Sequence, residues 1–66
     1  MIARILRCAA EHRVSLSHAA NIIEDRDNVT VSSSDVARAI EARQAAHGDR
    51  PAGAYWDACV DAAGAL

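Results

Sequence analysis

Apolar residues recur at helical spacing along most of this chain. In residues 2–13, Ile2, Ile5, Leu6 and Ala9 cluster on one face at about 100° per residue, and Arg4, Arg7 and Glu11 lie opposite. Val14-Ser15-Leu16-Ser17 breaks the pattern. Ser15 or Ser17 stands where a hydroxyl accepts a free backbone N–H and opens the next helix. That helix is predicted from about His18 to Arg26, with Ala19, Ile22 and Ile23 as its stripe and Glu24 and Asp25 facing away. Asp27-Asn28 reads as a turn. Val29-Thr30-Val31 alternates and is β-branched, which predicts a short extended link.

The clearest start signal follows. Ser32-Ser33-Ser34-Asp35 fits a capping box, with Ser32 at the N-cap and Asp35 three residues on, where a carboxylate also complements the helix dipole. The spacing predicts a helix over 33–47 that buries Val36, Ala39 and Ile40. Arg43 and His47 continue the stripe near its end, and Gly48 stops it. Asp49-Arg50-Pro51 opens a last helix, with proline in its first turn. Its apolar face is Trp56, Cys59, Val60 and Ala63, and Gly64 ends it. The expected fold is all-α: one domain over residues 1–66, a small bundle of four short helices with a helix-turn-helix-like central pair and an extended link at 29–31.

Composition thins this picture. Hydrophobic residues make up 52% of the 66, but 16 of them are alanine and only 18 are larger; there is no Phe. So short a chain has no room for a second core or a deep cofactor cavity. With so few large apolar side chains, self-association, as a homodimer or a larger homo-oligomer, or a partner covering an alanine-rich face is expected. No apolar run approaches the about 18 residues of a membrane span, and Arg4 and Arg7 interrupt the N-terminal segment where a signal peptide would be apolar. Cys8 and Cys59 lie in alanine-rich helical stretches, as small apolar residues and not a disulfide framework. These features predict a cytoplasmic protein with reduced thiols. Abundant Ala and Arg with no Lys or Phe point to GC-rich coding.

Little in the sequence supports catalysis. The serines sit at cap positions with no nucleophile elbow around them. Asp57 and Asp61, one turn apart, read as a solvated face. No glycine-rich phosphate loop is present. Cys8 and His12 share a helix face, but no zinc-type spacing surrounds them. The chain is therefore read as non-enzymatic, with no cofactor and no metal.

The stretch 14–40 carries the most specific signal. Val14-Ser15-Leu16-Ser17-His18-Ala19-Ala20-Asn21-Ile22-Ile23 resembles the first helix of a bacterial helix-turn-helix, with its Ser-Leu opening and its Ala pair before an aliphatic residue. Val31-Ser32-Ser33-Ser34-Asp35-Val36-Ala37-Arg38-Ala39-Ile40 is similar to that family's turn and recognition helix. The resemblance implies a DNA-binding transcription regulator. Helix 33–47 would enter a major groove, Arg38 would contact a base or phosphate, and Ser32, Ser33 and Ser34 would bond phosphates near the helix start. Arg26 and Arg43 would add phosphate contacts. The chain departs from the family at residues 24–30. Ala20 and Val36 stand 16 residues apart where the family pattern expects about 10, so these residues form an enlarged turn, and it is acidic, with Glu24, Asp25 and Asp27 against Arg26. Seven arginines against nine acids, a net charge of −2, also weigh against avid non-specific DNA binding.

The alternative is a protein–protein interaction module, of the kind a phage encodes to modulate a host protein. Tyr55 and Trp56, the only aromatics, and the alanine-rich helix faces would make the contact. Trp56 is either the largest piece of the core or a partner anchor.

Overall fold

The structure, a computed structural model, describes all 66 residues and is all-helical, with no strand. The elements are α1 (Ile2–His12), α2 (Leu16–Asp27), α3 (Ser33–His47), a 3₁₀ turn (Ala52–Ala54) and α4 (Tyr55–Gly64). The four-helix bundle expected from the periodicity is what forms, and the link expected at residues 29–31 lies between α2 and α3, with Asn28 and Ser32 as the caps on either side.

Local chemistry sets the helix ends. Ser15 caps α2, its Oγ accepting the His18 N–H at 3.1 Å; α2 therefore begins at Leu16, two residues before the predicted start. Ser32 caps α3 in the same way, accepting from the Asp35 N–H at 3.1 Å. Gly48 ends α3 at φ 56° and ψ −129°, a conformation that only glycine reaches without strain. Asn28 ends α2 and Arg13 ends α1, both in the left-handed region. Asn tolerates that conformation, whereas Arg gains nothing from it locally. Pro51 starts the 3₁₀ turn, not the last helix. Its carbonyl accepts the Ala54 N–H at 2.9 Å, and regular α-helix begins only at Tyr55.

α4 packs most extensively, against both α1 and α3; α2 rests mainly on α1, and α2 and α3 touch each other least of the packed helix pairs. The molecule measures 36 × 20 × 17 Å. Its two shorter dimensions are about two helix diameters, so the core is a single layer of side chains between helices. Thirteen residues are buried, and seven of these are alanine: Ala9, Ala19, Ala20, Ala39, Ala58, Ala62 and Ala63. Ile5, Leu6, Cys8, Leu16, Ile23 and Cys59 supply the rest, and no polar side chain is buried.

Two apolar stripes differ from their predicted phase. On α4, Val60 is 56% exposed, whereas Ala58 and Ala62 are buried beside Cys59 and Ala63. α4 is wedged between two helices, and small residues permit that close approach where a β-branched side chain would hold the helices apart. On α3, Ala39 is fully buried but Ile40 is 38% exposed, because it faces the gap toward the loosely packed α2. Trp56 is half-buried against the core.

Candidate functional site

The predicted DNA-contacting residues divide into two groups. Ser33, Ser34 and Arg38 lie exposed on α3, and no intramolecular hydrogen bond or ion pair occupies their side chains. Ser34 and Arg38 are one turn apart and share a face. Ser32 is exposed too, but its oxygen is already engaged in the cap. Arg26 and Arg43 lie elsewhere. The Arg26 Nη2 meets His12 Nε2 at 3.2 Å. Arg43 is half-buried, with its guanidinium 4.1 Å from the centre of the Tyr55 ring and its Nη1 donating to His47 Nδ1 at 3.1 Å. On the other side of the ring, His47 Nε2 lies 2.6 Å from the Arg50 carbonyl oxygen, within hydrogen-bond reach.

The remaining arginines follow the same accounting. Arg4 pairs with Asp27, and Arg50 reaches Asp61 at 3.0 Å and the Ala46 carbonyl at 2.9 Å. Arg13 lies 5.3 Å from the centre of the Trp56 ring. Only Arg7 and Arg38 lack an intramolecular partner. The acidic α2 end is partly neutralised as well. Asp27 is held by Arg4, and Glu24 folds back to accept the Val31 N–H at 2.9 Å instead of facing away.

Between α2 and α3 lies an open groove of about 370 Å³, floored by Ala20, Val31, Val36, Ala37 and Ile40. Its existence follows from the sparse contact between these two helices.

A second concavity, a cleft of about 410 Å³, opens where the α1–α2 link meets the start of α4. Arg13, Val14, Ser15, Tyr55 and Trp56 line it, and no carboxylate does. Trp56 donates its indole N–H to the Val14 carbonyl at 3.3 Å. Tyr55 meets Trp56 edge to face, with ring centres 5.7 Å apart at 75°. The order Arg13, Trp56, Tyr55, Arg43 is therefore a ladder of two adjacent rings with a cation at each end. The Arg13 guanidinium has no carboxylate and no hydrogen-bond partner, so all its donors remain available. Tyr55 and Trp56 stand out in the sequence as the aromatic pair, whereas Arg13 does not, because it and Trp56 lie far apart along the chain.

Other chemistry is sparse. Cys8 and Cys59 are free and buried, and burial pushes both thiols above their ordinary range, with Arg26 and Arg43 respectively opposing the shift. Thiols so placed are poor nucleophiles. No three His, Cys, Asp or Glu side chains converge as a metal site would need. No helix is long and apolar enough to cross a membrane. Comparison with protein-family models, curated proteins and solved structures gives no match for this chain.

Proposed function

We propose that this protein is a non-enzymatic interaction module that binds another protein at the cleft beside Trp56. One observation carries this reading: a tryptophan and a tyrosine are held in a fixed arrangement by the core on one side and open to solvent on the other, next to Arg13, whose guanidinium lies against the Trp56 ring and has no carboxylate partner. Trp, Tyr and Arg are the side chains that most often dominate binding at protein interfaces. Here the Val14 hydrogen bond and the edge-to-face contact order the aromatics before binding, which lowers the entropy cost of association.

A DNA-binding regulator is the second reading, favoured by one feature: Arg38, Ser33 and Ser34 are free at the start of α3. The charge distribution supports it less well. Net charge is −2, and five of the seven arginines are engaged within the chain. Phosphate neutralisation is the main source of DNA affinity and needs several free cations.

The two readings separate in one affinity-capture comparison. Trp56→Ala, checked as folded by circular dichroism, is expected to lose a partner that both wild type and Arg38→Ala retain. Retention of every partner by the folded Trp56→Ala variant overturns the interaction reading. So does duplex-DNA binding that falls steeply with salt and disappears in Arg38→Ala.

A further inference from the structure

The interaction reading leaves the chemistry of the partner open, and the cleft constrains it. Its floor is aromatic and aliphatic, from Trp56, Tyr55 and Val14. Its rim holds one cation, Arg13, and one hydroxyl, Ser15, whose oxygen accepts the His18 N–H while its own O–H stays free to donate. No acidic side chain lines the cleft, although the chain as a whole is acidic. The site is thus locally positive on a negative molecule, and charge complementarity selects the opposite sign in the occupant. Arginine offers a planar fork that matches a carboxylate in bidentate fashion, and stacking on Trp56 holds that fork at the mouth of the cleft.

Arg13 also occupies a backbone position that favours glycine, with φ 56° and ψ 49°. L side chains other than Asn and Asp rarely adopt this left-handed conformation, so local backbone preference does not explain an arginine there.

Resting on the interaction reading, we infer that the cleft takes an acidic segment of a partner protein. An aspartate or glutamate of that segment pairs with Arg13, and an adjacent aliphatic side chain packs on Trp56 and Val14. A single-stranded nucleic acid, which would also use rings and cations, fits less well, because only Arg13 of the ladder's two arginines lines the cleft.

Trp56 is the sole tryptophan, so its emission reports occupancy directly. The probes are a short acetylated peptide of alternating glutamate and leucine, the same peptide with lysine at every glutamate, and oligothymidylate. The acidic peptide is expected to shift Trp56 emission saturably, with affinity falling as salt rises. Arg13→Gln should weaken it about 10- to 100-fold, the range for losing a hydrogen-bonded charge. Arg13→Lys, which keeps the charge but not the fork, should fall between. Fluorescence anisotropy of labelled peptide supplies a second readout, independent of the altered environment of Trp56.

Equal binding of the lysine peptide overturns the acidic preference while leaving a protein-binding cleft. Arg13-dependent binding of oligothymidylate alone overturns both the preference and the interaction reading. No response to any probe up to about 1 mM overturns the inference, and the capture comparison then decides the broader reading separately.

Discussion

Trp56 donates its indole N–H to the carbonyl of Val14 at 3.3 Å, tying the start of α4 to the link between α1 and α2 across 42 positions of sequence. The bond and the ring contribute separately. Trp56→Phe removes the hydrogen bond but keeps an aromatic ring, and should cost about 1 kcal/mol. Trp56→Ala also removes the packing. It should cost about 2–3 kcal/mol, below the about 3–5 kcal/mol of a fully buried aromatic, because Trp56 is only half-buried. Urea denaturation followed by circular dichroism distinguishes the two steps.

That long-range bond also marks the limit of what the sequence reveals. Local signals were legible: Ser15 and Ser32 stand at caps, Gly48 stops α3, and Ile5, Leu6 and Ala9 form the buried face of α1. Each depends on residues within a turn or two of one another. The phase of α4 was not legible, because apolarity favoured Val60 while the space between α1 and α3 accepts Ala58 and Ala62. Nor was the cleft. Arg13 has no sequence neighbour that points to Trp56, and the engagement of Arg43 by Tyr55 depends on where the turn after α3 places α4.

Ala39 tests the close-packing account. It is fully buried on α3, which packs chiefly against α4. Ala39→Leu should destabilise the fold by about 1–3 kcal/mol, since the added methylenes must force the helices apart. Ala45→Leu, on the exposed side of the same helix, should change stability by less than about 0.5 kcal/mol. Equal effects at the two sites would show that the alanine interface has slack. Thermal and urea unfolding of the two variants provide the comparison.

The α3 serines separate structure from recognition. Ser32→Ala removes the oxygen that holds the Asp35 N–H and should cost about 1 kcal/mol of stability. Ser33→Ala, Ser34→Ala and Arg38→Ala remove exposed, unpaired groups and should each stay within about 0.5 kcal/mol of wild type. Any loss of ligand binding in these three is then a direct effect on contact. Unfolding midpoints measured beside binding curves settle the division.

The thin core predicts a further property. Seven of thirteen buried residues are alanine, while Ile40 and Val60 remain exposed. A single-layer core of this size rarely supplies more than about 3–5 kcal/mol. Association that covers Ile40 would add stability by mass action, so the melting temperature should rise with protein concentration. Ile40→Glu should abolish that rise and leave a monomer in sedimentation velocity. A melting temperature independent of concentration would show that one copy is sufficient.

The buried thiols give the alkaline limb of stability. Burial raises both Cys8 and Cys59 above the ordinary value of 9.0. In the unfolded chain the same thiols are solvated and ionise near that value, so as pH rises the unfolded state releases its protons first. The unfolded state then binds fewer protons than the folded one, and stability falls with rising pH. The contribution is fully present below 9.0 and is lost as pH climbs toward the folded values. Urea midpoints should thus be flat with respect to the thiols from about pH 7 to 8 and decline near about pH 10. Cys59→Ala removes one of the two groups, and its decline should be shallower than that of wild type even if its midpoint at neutral pH is lower. An identical slope in both proteins would place the alkaline loss on other groups. The same burial predicts slow thiol labelling in the folded state, with rates that rise steeply once urea opens the bundle.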